Sequence, residues 1–189
     1  MRRRHAAIII GLLGGLLAAA ANAAQVTDSV RDLAVIQDGR GAARLLFREG
    51  AAVAALPDVT IWKATLSVPV TGAPADRTVS LRLHPITAAW SAVGADWNAG
   101  WSRAGGDYDE ELFAAAEVSY GSGTATAVFD VTAILKETLE HGMFADGYLL
   151  TVDPKDGAGL SVADLTRFGT LAGATLDVKY RPAFRQARR

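Results

Sequence analysis

Thr78-Val79-Ser80-Leu81-Arg82-Leu83-His84 sets polar and apolar side chains in strict alternation. Successive side chains of an extended chain leave on opposite faces, so this stretch reads as a β-strand with one face in a core and one in water. The same period recurs outward from it. Upstream lies Trp62-Lys63-Ala64-Thr65-Leu66-Ser67-Val68. Downstream lie Thr124-Ala125-Thr126-Ala127-Val128-Phe129-Asp130-Val131, with only Val128 on the polar side, and Ala174-Thr175-Leu176-Asp177-Val178-Lys179-Tyr180. Ala43 to Phe47 and Tyr148 to Val152 are shorter apolar runs that fit buried strands. Asp38-Gly39, Gly72-Ala73-Pro74, Gly121-Ser122-Gly123 and Asp156-Gly157 supply turns between them. Many strands with turns between them predict an all-β fold, a jelly-roll β-sandwich of antiparallel strands.

One short crossover helix is expected after Asp130. Asp130 or Thr132 would accept hydrogen bonds from the free amides at its start, Ile134, Leu135 and Leu139 form its apolar stripe, and Gly142 suits the left-handed residue after its last turn.

The chain begins Met1-Arg2-Arg3-Arg4-His5, continues through an apolar run to Ala21, and reaches Asn22-Ala23-Ala24. A basic start, an apolar middle and a small-residue exit are the layout of a secretory signal peptide, here residues 1–23 with the cut after Ala23. The run is shorter than the roughly 20 residues of a membrane-spanning helix, so no membrane span is expected after cleavage. Residues 24–180 are read as one domain and residues 181–189 as a basic tail. There is no cysteine, which excludes disulfides and thiol chemistry. The signal and tail hold seven of the 19 basic residues and no acid, leaving the body with 12 basic against 20 acidic residues. A body of that sign repels nucleic-acid phosphates.

The long connection from about Thr87 to Leu112 carries three of the four tryptophans: Trp90, Trp97 and Trp101. Such a loop needs its own side chains to hold it to the core, and the indoles would serve. Trp101 and Tyr108 sit beside glycines and acids and also suit stacking on a sugar ring. Trp97, Asp96 and Asp107 complete that candidate ligand site, the carboxylates accepting sugar hydroxyl hydrogen bonds. Asp107 and Asp109 also offer oxygens at alternating positions, which makes calcium a candidate, against the alternative of a hydrated turn with capping aspartates. Signals for catalysis are poor: His84 and His141 have structural explanations, and no nucleophile elbow, zinc pair or phosphate loop is present.

Several of these segments resemble the DNRLRE domain family, which includes disaggregatase-related and family 96 carbohydrate-binding modules. The resemblance runs from about Leu33 to Tyr180. It rests on Ala42-Ala43-Arg44-Leu45-Leu46-Phe47, on Ile61 to Val68, and on Trp90, Asp96-Trp97-Asn98 and Gly105-Gly106-Asp107-Tyr108-Asp109. Phe129-Asp130-Val131-Thr132 and Leu176-Asp177-Val178-Lys179-Tyr180 complete it. Asp96 stands where the family has Thr, and the closing strand lacks its Arg-Pro entry. The resemblance implies a secreted or surface jelly roll that binds polysaccharide in some members and is structural in others, with no catalytic residue. The expectation is therefore a secreted, non-catalytic polysaccharide-binding module. A structural or adhesive module partnered by surface proteins is the alternative, and a polysaccharide-cleaving enzyme the third.

Overall fold

The computed structural model describes residues 23–56, 58–71, 77–120, 124–144, 146–153 and 173–182. Nearly all of the expected leader, most of the expected tail, and the expected turns at residues 72–74, 121–123 and 156–157 lie outside them. Eight strands form: β1 (Ala24–Gln37), β2 (Ala43–Glu49), β3 (Val59–Thr71), β4 (Arg77–Pro85), β5 (Ala114–Tyr120), β6 (Thr124–Asp130), β7 (Tyr148–Val152) and β8 (Thr175–Pro182). Two helices join them, α1 (Ala51–Ala54) between β2 and β3 and α2 (Thr132–Leu139) between β6 and β7. The all-β expectation holds, and the four strands read from alternation and the two read from apolar runs are all present.

The strands hydrogen-bond in the order β5-β4-β7-β2-β1-β8-β3-β6, with every pair antiparallel. β1 pairs with β8, β2 with β7, β3 with β6 and β4 with β5, so strands distant in sequence lie side by side. β5 packs against β6, so the roll is nearly closed. Two faces enclose the core. The first sheet is β8, β3, β6 and the start of β1; the second is β5, β4, β7, β2 and the end of β1. Leu66, Phe129, Leu176 and Val178 of the first meet Leu45, Phe47, Leu81, Leu83 and Leu150 of the second, all buried.

β1 serves both sheets. Residues 24–29 pair with β8 and residues 30–37 with β2. A bulge falls at the handover, where Arg31 pairs with Arg48 but Ala34 pairs with Leu46. Asp32 sits in it at φ 55°, a left-handed conformation that Asp tolerates better than most residues. One extra residue turns over the faces that follow. Val26 and Val30 pack on the main core, whereas Ala34 and Ile36 point to the outside of the second sheet. Arg31 and Arg48 both reach the Asp32 carboxylate, at 2.9 and 3.4 Å.

Helix α2 covers a bare edge. The β3–β6 ladder runs only from Thr65 to Thr71 on β3. Beyond it the Ala64 amide donates to Thr132 Oγ1 at 2.9 Å and the Ile61 amide to Glu140 Oε1 at 2.6 Å. Unpaired edge amides are thereby satisfied. Asp130 is the residue that holds the helix start, accepting from the Thr132 amide at 3.1 Å and its hydroxyl at 2.5 Å. These bonds hold the Asp130 carboxyl below its usual pKa. Thr132 is the first helical residue rather than the cap. Ile134 and Leu135 are buried, Leu139 packs beside them, and Gly142 takes φ 70° as expected. β8 runs on through Arg181 and Pro182, which pair with Thr60 and Val59, so the expected tail begins inside the sheet.

Candidate functional site

The outer face of the second sheet carries an apolar stripe set by register: Ala34 pairs with Leu46 and Leu46 with Leu149. With Ile36 and Ile86 these residues are buried, as a second small core outside the main one. The lid over it is the long loop. Trp90, Ala95, Trp97, Trp101 and Tyr108 pack onto the stripe. All three indoles and the phenol are half-buried, so they brace the loop and still present surface.

Arginines on the polar side of β2 hold the lid. The Arg48 guanidinium lies 4.6 Å from the centre of the Trp90 ring and donates to the Trp90 carbonyl at 2.8 Å. The Trp90 indole in turn donates to the Asp146 carbonyl at 2.6 Å. Arg44 lies 4.9 Å from the Trp97 ring centre and 5.0 Å from that of Tyr108, and it donates to the Gly105 carbonyl and, at 3.4 Å, to the Tyr108 hydroxyl. Cation–π contacts of this partly desolvated kind contribute about 0.5–2 kcal/mol each. Gly105 is required here. It has φ +87°, and a Cβ on it would stand 2.5 Å from Arg44 Nη1 and 2.9 Å from Trp97 Cζ2.

Among the described residues Arg44 has no carboxylate within ion-pair distance. Burial is the main cause that lowers its pKa. Arg82, by contrast, is paired with Asp153 at 2.8 Å and lies over Phe113, 4.4 Å from its ring centre. His84 is buried between Tyr108 and Phe113, its ring centre 4.9 and 5.5 Å from theirs. Its Nδ1 is 2.7 Å from the Asp109 carbonyl. A carbonyl only accepts, so Nδ1 carries the proton and Nε2 is left as an acceptor in the neutral ring. Desolvation, then Arg82 and Arg44, depress the His84 pKa against the opposing pull of that hydrogen bond.

Three hollows open along this face. The first, about 330 Å³, is lined by Trp90, Trp101 and small residues including Ser91, Gly94 and Gly100. The second, about 450 Å³, is lined by Thr87, Ala88, Ser102, Arg103, Asp107 and Tyr108. The third, about 290 Å³, is a cleft between Arg44, Arg82, His84, Tyr108, Glu110 and Thr151. Trp101 and Ser102 are chain neighbours across the first pair, and Tyr108 lines both of the second pair.

Of the residues singled out from sequence, Trp101, Asp107 and Tyr108 line these hollows. Trp101 and Tyr108 belong to adjoining hollows, not to one platform. Trp97 lies beneath Arg44, and its carbonyl accepts from the Gly105 amide at 2.6 Å. Asp96 is exposed; its carbonyl accepts from the Trp101 indole at 2.8 Å and its carboxylate from the Asn98 amide at 2.9 Å. Asp107 accepts from the Ser102 amide and hydroxyl, both at 2.8 Å, and from the Arg103 amide, which together lower its pKa. Asp109 accepts from the amides of Glu111 and Leu112. Both aspartates cap their own loop, the turn-forming role weighed against calcium above. Among the described residues no three His, Cys, Asp or Glu side chains gather as a metal site would need. Arg44, Arg82 and Arg103 were not expected in the site; their one sequence signal is a cation on the polar side of a strand or beside the loop glycines.

Comparison with family models, curated proteins and solved structures finds no match. The family resemblance therefore stands on the residues quoted for it alone. No helix among the described residues is long and apolar enough to cross a membrane.

Proposed function

We propose that this chain is an exported, non-catalytic module with a jelly-roll-like body that binds polysaccharide along the loop face, and that the polysaccharide is acidic. The observation that carries the reading is the row of three hollows ending at Arg44, a guanidinium without a carboxylate of its own. Sugar rings present apolar faces to Trp90 and Trp101 in the first hollow. Hydroxyls of the next unit meet Ser102, Arg103 and the outward lone pairs of Asp107. A ring carboxylate enters the cleft and takes the free donors of Arg44, a charge-assisted contact of the strong kind.

Titration calorimetry against polygalacturonate and against neutral dextran tests this. Polygalacturonate is expected to bind and dextran to bind weakly. Trp101→Ala and Arg44→Gln are each expected to weaken the acidic polymer by roughly 10- to 100-fold, as loss of a stacking anchor or a charged contact does. Equal affinity for both polymers, or none for either, would overturn it. The second reading, a structural module of a surface assembly, draws on the dense bracing of the loop. Recovery of protein partners but no glycan would favour it.

A further inference from the structure

The outer face of the first sheet holds a second group of residues that the loop-face reading does not use. Between β3 and β8 the register slips: Ile61 pairs with Tyr180, yet Lys63 pairs with Lys179, so Trp62 is the extra residue of a bulge. Bulges re-aim side chains. Here Ile61 and Ala64 stay buried in the core while Trp62 and Lys63, side by side in the chain, both face outward, Trp62 with 45% of its surface exposed. The Arg181 guanidinium lies 3.9 Å from the centre of the Trp62 ring. Lys179, directly across from Lys63, is also exposed. Like charges in cross-strand register repel, a cost that an anion between them would remove. None of Lys63, Lys179 and Arg181 is in an ion pair among the described residues. Two acids lie nearby: Asp177 accepts from the Thr27 hydroxyl, and Asp130, which holds the start of α2, feels the charge of Lys63.

We infer that Trp62, Lys63, Lys179 and Arg181 form a second docking patch for an anionic polysaccharide, on the face opposite the loop. Charge complementarity selects the occupant: three cations, none in an ion pair among the described residues, outnumber the two nearby carboxylates around an outward indole, on a body whose balance is otherwise acidic. This rests on the proposed glycan-binding reading and extends it. Two patches on opposite faces let one molecule hold two polymer chains, so the module cross-links rather than merely adheres.

The test uses the full chain and polygalacturonate, with light scattering to report cross-linking and calorimetry to report binding. The unaltered chain is expected to raise scattering to a maximum at intermediate ratios of chain to polymer and to lose it in excess chain. Lys63→Glu with Lys179→Glu, and separately Trp62→Ala, are expected to abolish the scattering maximum while loop-face binding persists within about threefold, since these side chains are exposed and remote from the loop. Arg44→Gln is expected to leave a residual binding that disappears when Lys63→Glu and Lys179→Glu are added. Binding without cross-linking by the unaltered chain, or cross-linking untouched by the patch variants, would overturn the inference. If Arg44→Gln binds as well as the unaltered chain while the patch variants lose binding, the loop-face reading fails and cross-linking fails with it, leaving Trp62, Lys63, Lys179 and Arg181 as a single docking patch. No binding by any form removes both.

Discussion

The two sheets treat their outer faces in opposite ways. The second sheet hides Leu46, Leu149, Ala34 and Ile36 under a 26-residue connection and fastens that lid with Arg44 and Arg48. Among the described residues no loop covers the outer face of the first sheet, and its exposed positions include Thr126, Val128 and Lys179. The contrast follows from side-chain chemistry. An outer face with buried leucines must be covered, and covering it takes a long loop that is itself well placed to bind ligands. An outer face of hydroxyls and charges needs no cover.

The sharpest way to break the comparison is to truncate matching residues on the two faces. Leu149→Ala should cost about 2–5 kcal/mol, as removal of a fully buried leucine does, whereas Val128→Ala should stay within about 0.5 kcal/mol. Urea denaturation measures both, and equal losses would mean that the loop is not a true second core. Next in size, Gly105→Ala should destabilise by about 1–3 kcal/mol, because strain at a positive φ adds to a clash with Arg44 and Trp97. Gly100→Ala, also at positive φ but with open space around it, should cost only about 1 kcal/mol.

A smaller effect follows from His84. Its folded pKa is depressed, while the unfolded chain titrates near about 6.5. Between those two values the unfolded state binds more protons, so stability is fully present above the unfolded value and is lost as pH falls through the window down to the folded one. Melting temperature should therefore drop on acidification below about 6.5, with faster hydrogen exchange in residues 105–112, and His84→Gln should flatten that part of the profile. The smallest effect expected is from calcium. With Asp107 and Asp109 capping their own loop, millimolar calcium should leave the melting temperature unmoved, and a clear rise would restore a metal site at the loop.

Most of the body was legible in the sequence because alternation reports a face, and faces are set locally. β5 was missed because Ala114-Ala115-Ala116 has little β propensity and little contrast between its two sides. β1 was missed because a strand that changes sheets halfway has no single inner face. The loop was legible as an aromatic-rich lid, yet its clamps were not. Arg44, Arg48, Arg82 and His84 occupy the outward positions of β2 and β4, which read as solvated until the loop is folded over them. Trp62 likewise reads as one step of a regular strand, since a bulge is fixed by pairing with β8 and leaves no mark in β3 alone.

The bulge at Asp32 works as a parity switch within one strand. Even-numbered residues of β1 look inward before it and outward after it. Were β1 to run on without the bulge at its present length, Ala34 and Ile36 would turn toward the interior and Leu33 and Val35 to the floor beneath the loop. The fit of the second sheet's outer face to its lid is thus written, in part, as an odd count of residues in the strand beneath it.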